Sequence, residues 1–456
     1  MSTPINLIEI ISEEVRSKGG TTYYVGGCVR DKLLGKPSKD IDIEVHNIEP
    51  SEFEKILSEF GEVTKIGASF GVYNVKGYNI DFSFPRTERK IGEKHTDFEV
   101  TIDPYIGLEQ ATRRRDFTIN ALMKNVLTGE IIDFWNGRAD LQAGIIRHID
   151  DETFIEDPLR VLRAAQFSAR FGFDIALETL ELCRHISLSE LSRERIFTET
   201  EKALMKSDKP SIFFEQLRRM NQLDFWFPEI KTLIGAKQNE QYHQEGDVWN
   251  HTMLVLDEVA KLRDKAVNPL YFMLAALCHD FGKPTALSVD ESGISHTFTH
   301  ETVGLPVVKT FLERLTSEKT LIKYILNMTE LHMQPNIKAE NKSRIKSTNK
   351  MFDQSVEPHD LILLAECDSR GKIPEGNVNT EFLCERLGIY REMMKEPHLT
   401  GDDLIAAGFV PCKEFSDVLA YAHKLRLAGV NKEHALSQTV WYAKKKGCKR
   451  NDIERN

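Results

Sequence analysis

Two aspartates, Asp40 and Asp42, stand two residues apart in a segment whose pattern predicts a β-strand. Side chains at positions i and i+2 of a strand project from one face, so the two carboxylates should lie side by side. Paired carboxylate oxygens suit Mg²⁺, which keeps several waters and takes its other ligands from substrate phosphates. The spacing therefore predicts a magnesium site with Asp40 and Asp42 as its catalytic pair.

A glycine-rich turn precedes the aspartates and could hold phosphate groups. Gly26 and Gly27 would let backbone N–H groups approach a polyphosphate, and the helix expected after them would add its positive N-terminal end. Arg30, on that helix, could then clamp phosphate oxygens. Two aspartates alone on a strand are more often a solvated edge, but with the glycines and the arginine in this order a nucleotide site is favoured.

Residues 25–45 resemble the first motif of the class II nucleotidyltransferases, the branch of tRNA CCA-adding enzymes and bacterial poly(A) polymerases. The resemblance continues in order along the chain. It implies ribose and triphosphate contacts for Arg114, Arg115, Asp116 and Asn120. It implies a flexible loop, needed in the family for adding A after CC, at Arg86, Glu88, Arg89 and Lys90.

The segment Glu156-Asp157-Pro158-Leu159-Arg160 resembles the family motif that serves as a protein template for the incoming base. Asp157 and Arg160 are three residues apart, so on a helix they would lie on neighbouring turns of one face. A carboxylate only accepts hydrogen bonds and a guanidinium only donates them. Cytosine and adenine offer an amino donor beside a ring-nitrogen acceptor, which this pair would satisfy, whereas uracil and guanine would be mispaired.

The simplest alternative for this pair is an ion pair within one helix, worth roughly a few tenths of a kcal/mol. Its place in the order of motifs, before Arg163, favours the template role, and we expect Glu156 and Arg163 to contact the nucleotide as well. Arg195 belongs to a later family motif, for which we expect structural support of the helices. Asp81 would be either a third supporting carboxylate or a structural residue.

The shared head leaves CCA addition and poly(A) tailing to be separated. Bacterial poly(A) polymerases typically carry a basic Gly-Arg/Lys-Arg-Phe signature after the first motif, where residues 66–70 read Ile-Gly-Ala-Ser-Phe. Enzymes that add only CC usually lack the flexible loop. The resemblance therefore implies addition or repair of the 3′-terminal CCA of tRNA from CTP and ATP, with A-only addition or poly(A) tailing as alternatives.

A second set of residues, in the C-terminal half, could hold another metal. His279 and Asp280 resemble the signature of HD phosphohydrolases, with His251 upstream and Asp368 downstream as the expected remaining ligands. Imidazole and carboxylate together suit a divalent transition metal or Mg²⁺, and metal-bound water would attack a phosphoester. The sequence leaves the identity of this metal open.

Other basic residues accompany this set. Lys283 could neutralise phosphate, and His300 and His332 could be ligands of a second metal or of phosphate. His243 and His296 fit better as ordinary core or surface histidines, because a metal site needs its ligands assembled. The order of both sets resembles the multifunctional CCA proteins, which implies phosphatase and 2′,3′-cyclic phosphodiesterase activity. A rival interpretation makes this hydrolase the only working enzyme, with the head as a non-catalytic RNA-binding module.

Composition limits the partners. Sixty Lys and Arg against seventy Asp and Glu give a net charge of −10, which disfavours strong non-specific RNA binding but permits a local basic track for one tRNA end. No stretch approaches the roughly 18 uncharged apolar residues of a membrane helix, and no secretion signal is evident. Seven scattered cysteines without CxxC spacing favour a reducing cytoplasm. The oligomeric state is not indicated.

The elements that must position these residues change along the chain. Residues 1–148 alternate helical and strand patterns and predict an α+β nucleotidyltransferase head with a small mixed β-sheet. Later apolar residues recur three and four apart, which predicts an all-α neck at 149–235, an all-α HD domain at 236–375 and a helical tail at 376–456. In the head we expect a helix over 8–16, strands over 23–25, 41–45, 70–75 and 78–84, and a helix opened by a capping box at Ser51 to Glu54.

Overall fold

The computed structural model describes residues 4–37, 41–66, 71–90, 98–241, 243–395 and 398–450. Asp40 of the expected magnesium pair lies outside the described residues, as do residues 67–70 of the segment that separates the two tailing activities. The chain divides into two compact units, Met1–Trp226 and Phe227–Asn456. Among the described residues, no helix combines the length and the apolar character needed to cross a membrane.

The first unit is built on a mixed sheet, as predicted. Its strands are β1 (Thr21–Val25), β2 (Ile41–His46), β3 (Val63–Ile66), β4 (Val72–Val75), β5 (Ile80–Ser83), β6 (Arg86–Lys90), β7 (Phe98–Ile102), β8 (Met123–Asn125), β9 (Ile131–Ile132), β10 (Ile145–Ile146) and β11 (Asp174–Ile175). Seven of them form one sheet in the order β3-β4-β5-β2-β1-β8-β9, in which β2 and β5 are parallel and the other neighbours are antiparallel. The pairs β6–β7 and β10–β11 stand apart from this sheet.

Helices cover the sheet and then continue beyond it. Those of the first unit are α1 (Pro4–Ser17), α2 (Gly27–Leu33), α3 (Pro50–Ser58), α4 (Leu108–Arg113), α5 (Gly137–Ala143), α6 (Asp151–Ile155), α7 (Leu159–Phe171), α8 (Leu177–Arg184), α9 (Arg193–Lys206) and α10 (Ser211–Arg219). The predicted capping box is wrong, because α3 begins at Pro50 with Glu49 as its N-cap and no side chain caps it. Proline is favoured at the first helical position, since its fixed φ already suits the helix.

The core of the head lies on one face of the sheet. Phe53 of α3 is fully buried and meets Tyr73, Phe82 and Phe84 edge to face, with ring centroids 5.5–5.9 Å apart. Ile43 of β2 points into the same core. Because side chains alternate along a strand, the neighbouring polar residues of β2 are directed to the opposite face.

The second unit is almost entirely helical. Its helices are α11 (Pro228–Lys231), α12 (Val248–Leu262), α13 (Pro269–Cys278), α14 (Lys283–Ala286), α15 (His300–Val303), α16 (Leu305–Leu315), α17 (Lys319–Leu331), α18 (Met333–Glu340), α19 (Ile345–Gln354), α20 (Pro358–Arg370), α21 (Thr380–Met394), α22 (Gly401–Ala406), α23 (Phe415–Leu427) and α24 (Lys432–Lys445). One short hairpin joins them, β12 (Ser288–Val289) with β13 (Ser295–His296). The predicted change from an α+β head to a helical remainder is confirmed, and the finer boundaries at 148, 235 and 375 stay predictions.

Helix α13 lies at the centre of the second unit. Its residues from Phe272 to Cys278 are all buried, and α12, α17 and α20 pack against it. A helix that is apolar on every side must be enclosed by other elements. The residues that directly follow α13 therefore lie in the interior of the unit.

Gly137→Ala should destabilise the first unit. Gly137 begins α5, and a Cβ there would lie 2.2 Å from the carbonyl oxygen of Thr118, so backbone would have to move. Overpacking of this kind costs about 1–3 kcal/mol, and each kcal/mol lowers the melting temperature by about 2–4 °C in a unit of this size. Differential scanning calorimetry would measure the shift.

The matched control is Gly401→Ala. Gly401 also begins a helix, α22, but a Cβ there meets nothing within 4 Å. This variant should melt at the wild-type temperature or slightly above it. Equal melting temperatures for the two variants would contradict the packing argument.

Candidate active site and metal centre

A cavity of about 600 Å³ opens beside β2 in the first unit. Asp42 and Glu44 of β2 line it, while Ile43 between them is in the core. The parallel pairing of β2 with β5 sets Asp42 opposite Asp81, which also lines the cavity. Adjacent strands lie only about 4.8 Å apart, so the sheet brings two carboxylates together on one wall.

Arginines from the rest of the unit line the same cavity. Arg114 and Arg115 come from the segment after α4, Arg86 comes from β6, and Arg195 comes from α9. The Arg115 guanidinium donates to Glu44 Oε2 at 3.1 Å, and Gly26, with φ of 65°, allows it to approach the turn before α2. The cavity therefore has an acidic wall and a basic wall, as a site for a metal and a polyphosphate requires.

The expected flexible-loop residues lie on a strand. Arg86, Glu88, Arg89 and Lys90 belong to β6, whose backbone pairs with β7 in an antiparallel hairpin from Arg86 opposite Ile102 onward. Arg86 lines the cavity. The segment is therefore a β-hairpin arm beside the site.

The expected base-selecting residues also line the cavity, but the local geometry differs from the prediction. Asp157 precedes α7 and accepts from Arg195 Nη2 through both oxygens, at 2.9 and 3.1 Å. Arg160 lies in the first turn of α7 and donates to the carbonyl oxygens of Thr153 and Arg114, each at 2.6 Å. The two residues thus stand on one wall with separate partners.

Glu156 completes this wall. Its carboxylate accepts from Arg114 Nη2 at 2.6 Å. The pair joins the segment after α4 to the residues before α7. Glu156 therefore fixes the orientation of an arginine that faces the cavity.

Four of the expected nucleotide contacts form a buried network instead. Asn120 Nδ2 donates to the Asp116 carboxylate at 2.9 Å, and Arg163 donates to it at 2.8 and 2.6 Å. The Arg30 guanidinium donates to Asn120 Oδ1 and to Asp31 Oδ1, and it lies 4.6 Å from the Phe171 ring centroid. Arg30 is only 3% exposed.

This network bears on the expected role of Arg30. The Arg30 guanidinium is enclosed by Asp31, Asn120 and Phe171 and does not line the cavity, so a direct phosphate contact stays a prediction. Together with Asp116, Asn120 and Arg163 it ties α2 to α7. Gly27 begins α2 and so fixes where that helix starts.

The expected HD residues of the second unit meet at one point. The Nε2 atoms of His251 and His279 lie 3.4 Å apart. Asp280 Oδ2 is 3.2 Å from His279 Nε2 and 3.5 Å from His251 Nε2. Asp368 Oδ1 is 3.1 Å from His251 Nε2. All four are buried, and they come from α12, the end of α13 and α20.

The two histidines left open by the sequence join the same cluster. His300 Nε2 lies 3.2 Å from Asp280 Oδ1 and 3.2 Å from His332 Nε2. The Asp280 carboxylate therefore faces His251 and His279 with one oxygen and His300 with the other. This arrangement offers two neighbouring groups of metal-ligand atoms that share Asp280.

The outer nitrogens of these histidines are held by acceptors. Such hydrogen bonds fix the ring orientation and leave Nε2 available as a metal ligand. The carbonyl acceptors, at 2.6–2.8 Å from Nδ1, are those of Ala276 for His279, Thr297 for His300 and Thr329 for His332.

Glu245, which the sequence did not single out, lies within ion-pair distance of His251 and His243. Its carboxylate lies 3.1 Å from His251 Nδ1 and 2.7 Å from His243 Nδ1. His243, which the sequence predicted to be an ordinary histidine, therefore shares the Glu245 carboxylate with the candidate ligand His251.

The buried carboxylate of Asp280 decides whether the residues present fit a metal. Both of its oxygens are buried without a hydrogen-bond partner in the structure, although Lys283 Nζ lies 2.6 Å from Oδ2. Burial and the neighbouring His279 and His300 lower the pKa of His332 to about 3, so that imidazole is neutral. Imidazole nitrogens around a buried carboxylate are the donor set of a divalent metal site.

Known proteins with similar sequences identify the family. The multifunctional CCA protein of Haemophilus ducreyi is 36% identical over 362 residues, which are 77% of this chain and 85% of that protein. The multifunctional CCA protein of Pseudoalteromonas atlantica is 38% identical over 363 residues, with coverage of 77% and 85%. The chain belongs to the multifunctional CCA protein family.

Three family models match parts of this multifunctional CCA family member. They are the poly A polymerase head domain at 22–147, the probable RNA and SrmB-binding site of polymerase A at 172–234, and the HD domain at 248–369. The first covers the expected magnesium pair, and the third covers the four expected HD ligands.

Solved structures show the same fold. The Bacillus stearothermophilus CCA-adding enzyme in complex with CTP has a TM-score of 0.69 at 20% identity, covering 98% of this chain and 99% of that one. The Thermotoga maritima CCA-adding enzyme complexed with tRNA has a TM-score of 0.63 at 21% identity, with coverage of 96% and 95%.

Sequence reasoning missed some cavity residues of this CCA family member. Glu44 follows Asp42 by two residues, so the spacing that pairs Asp40 with Asp42 could also have indicated it. Arg195 comes from α9, and only its family motif marked it, as a structural residue. Asp81 was not missed, since the sequence left it as a third carboxylate or a structural residue, and the register of β2 with β5 sets it on the cavity wall.

Asp116→Asn should destabilise the first unit in a pH-dependent way. Burial alone would raise the pKa of Asp116, but Arg163 and Asn120 hold it below its ordinary value of 3.8. The ionised carboxylate therefore stabilises the fold above about pH 4, and this contribution is lost as the pH falls through the lowered pKa.

We expect the variant to lose about 3–5 kcal/mol of unfolding free energy at pH 7, because it leaves buried guanidinium groups uncompensated. The difference from wild type should shrink between pH 4 and pH 2, as followed by urea unfolding. Asp208→Asn, at an exposed position, is the control and should change little. A loss that is the same at every pH would contradict the electrostatic explanation.

Proposed function

We propose that the protein adds or repairs the 3′-terminal CCA of tRNA, using CTP and ATP. The observation that carries this proposal is the cavity with carboxylates on one wall and arginines on the other, in a chain of the multifunctional CCA protein family. Solved structures with the same fold include complexes with tRNA, CTP and ATP.

In the head, Asp40 and Asp42 would hold Mg²⁺, and Asp81 lies opposite Asp42 on the neighbouring strand. Bound Mg²⁺ would lower the pKa of the tRNA 3′-hydroxyl and offset charge on the attacked phosphate. Hard carboxylate oxygens on one wall fit that ion. Around it, Arg114 and Arg115 bind the triphosphate, and their own carboxylate partners keep both guanidinium groups oriented.

Base selection is assigned to Asp157 and Arg160. A carboxylate has about four lone-pair sites, so Asp157 can accept from a base amino group while Arg195 holds it. A guanidinium has five N–H donors, and the two bonds of Arg160 to carbonyl oxygens leave others for a ring nitrogen. The pair would therefore bond C and A and leave U and G mispaired.

The buried network of Arg30, Asp116, Asn120 and Arg163 is proposed to act through position. It ties α2, which follows the glycine turn, to α7, which carries the base-selecting arginine. Its residues thus keep the phosphate end and the base end of the cavity at a fixed separation.

To the second unit we assign a phosphohydrolase activity on phosphomonoesters and 2′,3′-cyclic phosphodiesters. A divalent ion held by His251, His279, Asp280 and Asp368 would supply an activated water. Lys283 beside Asp280, and Lys372 3.6 Å from Asp368, bring positive charge for the phosphate. His300 and His332 would hold a second ion or the phosphate itself. All seven cysteines are free thiols, which suits the cytoplasm in which we place the protein.

Two variants should separate the two activities. Asp42→Asn should lower incorporation of labelled CTP and ATP into tRNA lacking CCA by roughly a thousandfold, because several kcal/mol of metal-dependent stabilisation are lost. It should leave hydrolysis of 2′,3′-cyclic AMP unchanged. His279→Gln should have the opposite effects, so each variant is the control for the other.

The products decide between the alternatives. No incorporation, or incorporation that Asp42→Asn leaves intact, would contradict CCA addition. Long A tracts made from ATP alone on unstructured RNA would identify poly(A) tailing. Hydrolysis without any incorporation would leave the HD unit as the working enzyme.

Arg160→Ala should relax base selection more than it lowers total turnover. Misincorporation of UTP and GTP relative to CTP should rise about tenfold, since one hydrogen-bonded contact to the correct base is worth about 1–2 kcal/mol. Arg193→Ala removes an exposed arginine of α9 that pairs with Glu194 and serves as the control. A uniform loss with all four nucleotides would refute the template role.

A further inference from the structure

The hairpin β12–β13 and the residues after it form part of the cavity at the metal centre. This cavity has a volume of about 410 Å³ and is lined by Asp280 and His332 as well as by His296 and Phe298. Phe298 is 71% exposed, although it is large and apolar. It therefore stands at the opening of the cavity, and the mechanism above gives it no part.

The rings of His296 and Phe298 are stacked on one another. Their centroids lie 5.0 Å apart and their planes differ by 10°. His296 Nε2 is 2.8 Å from Asp290 Oδ2, which fixes the imidazole from the other arm of the hairpin. His296 therefore covers one face of the Phe298 ring, and the rest of that ring is exposed.

A hydrogen bond links the segment with these two rings to the candidate metal centre. Thr297 lies between His296 and Phe298 in the sequence, and its carbonyl oxygen accepts from Nδ1 of His300 at 2.8 Å. Thr299, directly before His300, has a φ of 60°, a conformation that β-branched residues rarely adopt. Strain of this kind persists only where the surroundings impose it. The segment 296–300 therefore carries the aromatic surface and a candidate ligand in one fixed piece of backbone.

We propose that His296 and Phe298 form a base-stacking subsite, which would hold the base of a nucleotide whose phosphate lies at the buried end of the cavity. The proposal rests on the proposed hydrolase function. Buried charges lie at one end of the cavity, where a phosphate would bind, and an exposed aromatic face lies at its opening. The cavity volume falls within the usual range for small-ligand sites, about 300–1,000 Å³.

Stacking sets this subsite apart from the selective site of the head. Every base presents a π-face, so stacking tolerates any sequence. The subsite would accept the four bases alike and would add nothing to the binding of phosphoesters that have no base.

The test compares two cyclic phosphodiesters, one with a base and one without. Phe298→Ala should raise KM for 2′,3′-cyclic AMP about tenfold, equivalent to about 1.4 kcal/mol, with kcat within about twofold. Hydrolysis of glycerol 1,2-cyclic phosphate, which has no base, should be unchanged. Phe298→Trp should keep a low KM, because it keeps the stacking surface. Phe225→Ala, at an exposed phenylalanine of the first unit, is the control.

A binding measurement keeps the proposal testable without turnover. In the Phe298→Trp variant, adenosine 3′-phosphate should quench fluorescence beyond the change in wild type, and inorganic phosphate should not. If wild type hydrolyses neither diester, the hydrolase function fails, and this quenching still decides whether a base stacks there. An equal increase in KM for both diesters or no increase for either would overturn the subsite. Equal quenching by adenosine 3′-phosphate and inorganic phosphate would overturn it as well.

Discussion

The buried carboxylate of Asp116 is the constraint on which the first cavity depends. It accepts from Asn120 and Arg163, and Asn120 in turn accepts from Arg30. An unpaired charge at this depth would cost several kcal/mol, so the three partners cannot move independently. The glycine turn, the arginine-rich segment and the neck helix are thereby held as one frame, and the cavity is the space that this frame leaves open.

Asp280 shows the opposite use of a buried carboxylate. Asp116 has protein hydrogen-bond donors on both oxygens, whereas both Asp280 oxygens are buried without a hydrogen bond among the described residues. Buried polar groups are normally satisfied, and exceptions indicate a ligand or a catalytic role. The contrast separates a carboxylate that holds the fold from one that is directed at an ion.

Local spacing predicted much of both sites, and three-dimensional packing decided the rest. Periodicity predicted the mixed sheet and the helical remainder, and the resemblance to HD phosphohydrolases implied the convergence of His251, His279, Asp280 and Asp368. Burial is not visible in a motif, so Arg30 was expected at phosphate, and only the fold shows that protein partners enclose it. Glu245 belongs to no recognised motif, and only the fold shows that it lies 3.1 Å from His251 Nδ1.

The apolar helix α13 also determines how the candidate metal centre would come apart when the protein unfolds. His279 and Asp280 directly follow a helix whose side chains form the interior of the second unit. Their positions are fixed while that interior remains packed, and the interior cannot unfold without displacing them from His251 and Asp368. Ligand geometry and the helical core therefore belong to one cooperative unit, so the centre has no unfolding transition of its own.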